Sequence, residues 1–478
     1  MSGYGGKSMK YDLVVGLETH VELLTKTKIF CNCANKFGSD PNTNCCPICI
    51  GLPGTLPKIN RQVVNFAIRA ALALNCEVNL VSKMDRKNYV YPDLPKAYQI
   101  SQFYEPICKN GYIELDSGKK IRINHIHMEE DAAKLVYKGG DTYVDYNRGG
   151  VPLLEVVTEP DISSSDEARE YLEKLQMIMR YIGVSDCRMQ EGSIKCDVNV
   201  SVKPEGSDKL GTRTEIKNMN SITFMAKAID YERERHIELI ENGGKVEQQT
   251  LRYLPETNST ESMRSKEDAQ DYRYFRDPDL VDIVLTKEQI DEIKSTLPEL
   301  PDVRFKKYVN EFGIAEKEAM LLVKYKNVSD YFEEAIIGLK NAKIVSNFII
   351  GQIFRSLETE AEKEAFEILT TPSQMNELAK LIESGKLNMN LAKKALLKML
   401  ESGKPVTEFV SESDMQGISP EDMKKMCEEA IKANQNAVKD YLSGKEKALK
   451  ALLGSVMKQT RGRGNAQEIE AMLKSMIV

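Results

Sequence analysis

The sequence predicts an α+β protein, and three observations carry that prediction. Apolar and polar residues alternate with period two through much of the first part of the chain, as in Leu13–Leu23 and Asn124–Asp131, which marks half-buried strands. Beyond Pro298-Glu299-Leu300-Pro301 the composition turns helix-rich, and the prolines restrict their neighbours in a way that suits a boundary. With 478 residues the chain exceeds one typical core, so roughly two to four folding units are expected.

Composition narrows the function classes. No apolar run approaches the roughly 18 residues that a membrane helix needs. Met1 to Lys10 is polar and glycine-rich, so no signal peptide is expected and the cytoplasm is the expected compartment. A net charge of −6 argues against indiscriminate coating of nucleic acid and directs attention to local basic patches.

In the first strand, Val15, Leu17, Thr19, Val21 and Leu23 fall on one face, while Glu18, His20 and Glu22 share the other. One face can build a core and the other can hold a cation, although the same alternation suits an ordinary solvated face. Cys31-x-Cys33 and Cys46-x-x-Cys49 then supply two chelating pairs, which fits a closed tetrahedral zinc site. Cys45 is an adjacent fifth thiol, and Cys46 is preferred because it keeps the usual two-residue gap. The surrounding prolines and glycines describe a loop, about residues 29–57, with too little core of its own; a structural zinc would fix it.

Gln62–Leu74 has helical apolar spacing and reads as a packing helix. Asp85–Gln99 alternates cations, tyrosines and prolines, so it reads either as a surface loop or as a loop holding an anionic, stackable ligand, with Lys87 and Lys96 on phosphates and a tyrosine under a base. In Asn124–Asp131, His127 and Glu129 share one side of a strand and Glu130 takes the other unless a bulge intervenes. Only one of the two glutamates is therefore expected to meet Glu18 and His20. Hard oxygen ligands with an imidazole suit Mg²⁺.

The glycines in Asp145–Glu155 permit close backbone approach or mark a bend. Ser164-x-x-Glu167 has the form of a capping box opening a helix that ends at Gly183. Two further strands place Asp197 with Asn199, and Arg213 with Glu215 and Lys217. Ser221–Glu241 reads as a charged helix with His236 on its surface. Later, Glu316–Val323, Ala335–Phe354 and Pro372–Leu381 read as helices, and Gly403-Lys404-Pro405 as a second break. The tail is locally basic, with seven Lys or Arg between Lys439 and Arg463 against Asp440 and Glu446. The glycines of Gly454–Gly464 favour backbone exposure to a ligand such as a phosphate chain.

Together, Gly16–Glu22, Asp85–Asp93, Lys96–Gln102, His127–Ala132, Asp145–Glu155 and Asp271–Phe275 make the chain closely resemble the GatB family, the B-type subunits of the aspartyl/glutamyl-tRNA amidotransferases or GatCAB enzymes, across nearly its whole length. The resemblance implies a cradle-like catalytic domain on a largely antiparallel sheet (1–295), an all-helical domain (296–405) and a small helical tail domain (406–478). It implies a carbon–nitrogen ligase that uses ATP and Mg²⁺ to phosphorylate the side-chain carboxylate of Glu-tRNA(Gln), Asp-tRNA(Asn) or both. Ammonia from the amidase partner, GatA, then displaces the phosphate, within a heterotrimer completed by the small partner GatC. No Gly-Gly-Ser-Ser amidase signature is visible here.

By matching position, the resemblance implies that Glu18, His20, Glu130, Asp197 and Glu215 are catalytic Mg²⁺ ligands, with Glu129 in reserve. Lys87, Lys96 and Arg148 are assigned to phosphate or the acyl-acceptor end by charge and motif membership. The cysteine quartet matches the zinc-bearing branch of the family, where the metal is structural. Lys447, Lys450, Lys458, Arg461 and Arg463 are the expected tRNA contacts, although Arg463-Gly464 departs from the usual Gly-Lys-Ala. Two alternatives are a non-catalytic zinc-containing tRNA scaffold and the archaeal paralogue, whose inserted domain has no room here.

Overall fold

The computed structural model describes residues 10–217, 219, 221–265, 272–411, 420–445, 447–460 and 466–477. The chain forms two compact units, Met1–Leu300 and Pro301–Val478. The fold is α+β, with strands concentrated in the first unit and helices throughout the second. Among the described residues no helix is long and apolar enough to cross a membrane.

The first unit is built on a nine-stranded sheet. Its strands are β1 (Tyr11–Glu22), β2 (Glu77–Val78), β3 (Cys108–Glu114), β4 (Lys120–Glu130), β5 (Pro152–Thr158), β6 (Ile194–Pro204), β7 (Thr214–Lys217), β8 (Gln249–Leu254) and β9 (Ser259–Ser265). Their spatial order is β9-β8-β7-β6-β1-β5-β4-β3-β2, so the first strand lies at the centre. All neighbours are antiparallel except β7 and β8. A second, three-stranded sheet joins Phe275–Arg276, Asp85–Asn88 and Tyr98–Ser101, and Tyr98–Ser101 packs beside β4.

Strand alternation sorts β1 as expected. Val15, Leu17 and Val21 enter one core with apolar side chains of three helices, α1 (Arg61–Ala73), α2 (Ser165–Tyr181) and α3 (Ile222–Glu241). Each helix starts on a polar cap: Asn60, Ser164 and Ser221 accept backbone N–H groups of Gln62, Glu167 and Phe224, which satisfies donors the helix leaves unpaired. The capping box expected at Ser164 is only half formed. Glu167 accepts from the N–H of Ser163, at 2.8 Å, and from Lys119, because Lys119 draws its carboxylate away from the cap residue.

His236 is a correction. It is fully buried, not on the surface, because Met225, Ile229, Glu232 and His236 occupy the inward stripe of α3 at helical spacing. Its Nε2 lies 3.1 Å from the Thr214 hydroxyl, which donates to Glu232. Arg235 and Thr260 also donate to Glu232. This buried network ties α3 to β7 and β9.

The second unit holds two apolar clusters, one spanning Tyr308 to Val410 and one spanning Met423 to Leu473. Helices form at Glu316–Val323 and Pro372–Glu383, but Ala335–Phe354 is not continuous. A helix ends at Ala335, Gly338 adopts a φ of 75°, and helical structure resumes at Lys343–Phe348 followed by a π-turn at Ile349–Ile353. The left-handed glycine breaks the backbone where apolar spacing alone predicts continuity.

Burial pushes the Glu232 carboxyl up, but the hydrogen bonds from Arg235, His236 and Thr260 hold it down at about 2. A carboxylate with a depressed folded pKa stabilises the fold above its unfolded value near 4.5, and that contribution fades as pH falls towards 2. The stability gap between the natural chain and Glu232→Gln is therefore expected to be about 3 kcal/mol near neutrality and to close as pH drops through this window. Denaturant unfolding of both proteins at a series of pH values measures it.

Candidate active site

The face of β1 opposite the core carries Glu18, His20 and Glu22, and the register decides what meets them. His20 pairs with Glu155 on β5, which in turn pairs with His127 on β4. Glu22 pairs with Leu153, and Leu153 with Glu129. Directly opposed residues share a face, so two imidazoles and two carboxylates converge. His20 Nε2 lies 3.3 Å from Glu155 and 3.4 Å from Glu129, while His127 Nε2 lies 3.1 Å from Glu155 and 3.7 Å from Glu129. Glu155 is the one charged residue of an otherwise largely apolar strand, Pro-Leu-Leu-Glu-Val-Val-Thr.

The electrostatics follow from that crowding. Burial opposes a charge on His20, yet the hydrogen bond and charge of Glu155, with Glu129 and Asp197 behind it, raise its pKa to about 9. His127 reaches about 10 for the same reasons. Burial would raise Glu155, but the two imidazoles hold it well below the carboxylate range. His125, stacked on His127 at 5.3 Å, is pushed down to about 4 by burial and by that neighbour's charge.

One ligand atom each from His20, Glu129 and Glu155 lies within 4.8 Å of the others. Adjacent donors on an octahedral ion with bonds near 2.1 Å are about 3 Å apart, so the spacings of 3.3 and 3.4 Å fit a small hard cation after slight closure. The donor set, mostly carboxylate oxygen, with His20 and Glu155 partly exposed and Glu129 buried, suits Mg²⁺ with water completing its shell.

A second patch lies alongside on the same face. Glu18 pairs with Asp197, and Asn199 with Glu215. Asn199 donates to Glu18 at 2.8 Å, Lys217 bridges Asp197 at 2.7 Å and Glu215 at 3.0 Å, and Thr250 donates to Glu215 at 2.8 Å. Burial, then the charge of Glu155, raises the Glu18 carboxyl. Burial opposes the Lys217 charge, but the two carboxylates more than offset it and raise its pKa.

Of the adjacent glutamates, Glu129 joins the cluster and Glu130 does not. Glu130 points to the other face, where it pairs with Lys96 and accepts the N–H of Ile100 at 2.9 Å. Lys96 is thus committed to that carboxylate. Lys87 sits 4.7 Å over the Tyr272 ring, and Arg148 meets Asp131 at 3.2 Å and the carbonyl of Ala132 at 2.9 Å. Glu22 stands apart from the cluster, its pKa raised to about 7 by burial and then by Asp131. Sequence reasoning did not assign Glu155, and its signal was a single charge in an apolar strand.

The four cysteines Cys31, Cys33, Cys46 and Cys49 come together, their sulfurs within 4.8 Å of one another. Cys46 and Cys49 are 3.9 Å apart, near the roughly 3.8 Å expected between tetrahedral ligands with Zn–S bonds of about 2.3 Å. A hydrogen bond from Cys31 and the charge of Lys28 help lower Cys49 to about 4, against burial. The thiolate chemistry of the quartet fits zinc. Cys45 lies outside it and donates to the carbonyl of Asn42 at 3.2 Å. The same loop braces Asp145 and Asn147 through the N–H groups of Asn42 and Asn44, at 3.0 and 2.7 Å.

In the tail, Lys447, Lys450 and Lys458 are exposed on the helix Lys447–Gln459, opposite buried Leu449, Leu452 and Val456. Gly454 lies inside that helix, so the expected open backbone around it is instead hydrogen-bonded helix. Arg461, Arg463 and Asp271 lie outside the described residues.

Residues 13–291 match the family model described as the GatB/GatE catalytic domain, and residues 330–477 match the GatB domain. The chain is 48% identical over 477 residues to the B-type subunit of the aspartyl/glutamyl-tRNA(Asn/Gln) amidotransferase of Carboxydothermus hydrogenoformans, covering 98% of this chain and 99% of the relative. The protein of that name from Caldanaerobacter subterraneus subsp. tengcongensis is 48% identical over 471 residues, with 98% and 99% covered. That of Clostridium tetani is 47% identical over 478 residues, again covering 98% and 99%.

Two measurements check the metal assignments. Glu129→Gln and Glu155→Gln are expected to weaken Mn²⁺ binding by about tenfold or more, and Glu130→Gln by less than about threefold; titration followed by electron paramagnetic resonance separates them. Elemental analysis after purification is expected to find zinc retained in Cys45→Ser and lost from Cys46→Ser, with a lower melting temperature only in the latter.

Proposed function

This chain belongs to the GatB/GatE family of tRNA-dependent amidotransferase subunits, and on that premise we propose that it activates the side-chain carboxylate of a misacylated tRNA. The substrates are Glu-tRNA(Gln), Asp-tRNA(Asn) or both, with ATP as phosphoryl donor. The reaction is that of a carbon–nitrogen ligase. The substrate carboxylate attacks the γ-phosphorus, the bond to ADP breaks, and an acyl phosphate results. Ammonia then adds to the acyl carbon and phosphate leaves, giving the amide. The ammonia comes from glutamine on an amidase partner, and a small third protein completes the assembly in the cytoplasm.

The observation that carries this reading is the convergence of His20, Glu129 and Glu155 on the face of the sheet opposite the helices, with Glu129 buried and the other two partly exposed. Mg²⁺ held by these three residues would offset negative charge as the phosphoryl group moves. The chain's own groups do the rest. Lys217, fixed between Asp197 and Glu215, presents a positive charge on the face where anions must meet. Glu18 is oriented by Asn199 and faces the same space. Lys87 and Arg148 serve as rim cations for phosphate or the acyl end.

Glu130 takes a supporting role through Lys96 instead of binding metal. The cysteine loop, with structural zinc, fixes the segment that carries Arg148. Residues 1–295 form the catalytic cradle, 296–405 a helical domain, and 406–478 a tail whose exposed Lys447, Lys450 and Lys458, together with Arg461 and Arg463 of the same basic stretch of sequence, contact the tRNA backbone.

Reconstitution with the amidase and the small third protein tests the reading. Assayed with both misacylated tRNAs, ATP, glutamine and Mg²⁺, the assembled enzyme is expected to release ADP only when aminoacyl-tRNA is present. Glu155→Gln is expected to lose this ADP release by at least about a hundredfold while tRNA binding persists. Equal activity in that variant would leave the acidic cluster as mere structure and favour a tRNA-binding scaffold.

A further inference from the structure

A ladder of aromatic rings leads outward from the acidic cluster, and the activation step described above does not use it. Its outer end is Phe103, 57% exposed, and Tyr104, 62% exposed. Phe103 stacks on Tyr274, with centroids 4.2 Å apart and planes 12° apart, and meets Tyr104 edge-on at 5.1 Å. Tyr274 then meets Tyr272 at 6.0 Å, and Tyr272 meets Tyr89 at 5.9 Å.

The ladder is held rigidly. The buried Asp85 carboxylate accepts the backbone N–H groups of Phe103 and Tyr104 at 2.7 and 3.1 Å. The Tyr104 hydroxyl donates to the carbonyl of Tyr274 at 3.2 Å. It also starts at the site, because Ser101, two residues before Phe103, donates to Glu129 at 3.5 Å. Tyr274 lies within electrostatic reach of Glu155 and Glu129.

Two large rings on a segment held by the Asp85 carboxylate, packed on Tyr274 and left open to water, are preorganised for a flat apolar partner, since this reduces the ordering cost when one arrives. Lys87 sits 4.7 Å from the centroid of the ladder ring Tyr272, whereas Arg86 lies over Tyr98 and Phe275, outside the ladder, and is held by Asp277 and Asp279 at 2.8 and 2.7 Å. Rings for a base, the Lys87 cation for phosphate and an acidic cation site match the parts of a nucleotide.

We propose that Phe103 and Tyr104 form a stacking platform for an adenine ring at the mouth of the site, an inference that rests on the phosphoryl-transfer reading above. Two sources present that ring here: the base of ATP and the 3′-terminal adenosine common to tRNAs. Base stacking on aromatic side chains is tolerant of sequence and strong enough to govern affinity.

The test uses the assembled enzyme and equilibrium dissociation constants, so the readout does not depend on turnover. Phe103→Ala/Tyr104→Ala is expected to bind either ATP or uncharged tRNA about tenfold more weakly, with an unchanged melting temperature, and Phe103→Trp/Tyr104→Phe is expected to restore binding. Loss confined to ATP assigns the nucleotide's base, and loss confined to tRNA assigns the terminal adenosine. Unchanged affinity for both overturns the platform even if ADP release is normal. Weakened copurification of the partner proteins with both affinities intact also overturns it, marking a protein contact. Platform-dependent binding in an enzyme that releases no ADP would instead sustain the platform and defeat the activation reading.

Discussion

The register of β1 against its two neighbours is the constraint on which the rest of the first unit depends. Side chains alternate with period two, so a slip by one residue would turn Val15, Leu17 and Val21 outward and drive Glu18, His20 and Glu22 into the core. Burying three ionisable groups without partners is far costlier than any single lost contact, so the apolar face alone specifies the pairing. Once it is set, every polar residue opposite has a fixed address. Glu155 must face His20, and Asp197 must face Glu18.

That address creates an electrostatic problem which the neighbouring strands solve in two ways. Near His20 the carboxylates are balanced by imidazoles, whose pKa values rise to about 9 and 10 in response. Near Glu18 they are balanced by Lys217 and by neutral donors from Asn199 and Thr250. The difference has a chemical consequence. An imidazole can give up its proton and become a ligand, whereas a lysine with a raised pKa stays a cation. One end of the face is therefore suited to a metal ion and the other to an anion.

Much of this was legible in the chain, and the parts that were not share a cause. The cysteine spacing, the polar face of Glu18 and His20, and the helix starts at Ser164 and Ser221 are local signals, readable within a few residues. Glu155 and the Thr214–Glu232–His236 network are products of pairing across well over a hundred residues or across different elements. A lone glutamate in an apolar strand and a histidine on a charged helix carry no local sign of their partners. The break at Gly338 is another such case, since apolar spacing runs on through a residue whose backbone turns left-handed.

The adjacent glutamates sharpen the point. Alternation shows that Glu129 and Glu130 must face opposite ways, yet only cross-strand pairing determines which one faces His20. Glu129 opposes Leu153, which opposes Glu22, placing it on the His20 face; Glu130 opposes Pro152 and lands on the other. There it accepts from Ile100 and pairs with Lys96, while Ser101, one residue beyond Ile100, donates to Glu129. The strand Tyr98–Ser101 thus grips both carboxylates, one on each face. Because a single peptide joins them, any change that loosens Glu130 also loosens the backbone that aims Glu129. Glu130 is therefore coupled through the backbone to the carboxylate that stands beside His20, although its own oxygens face Lys96 and Ile100.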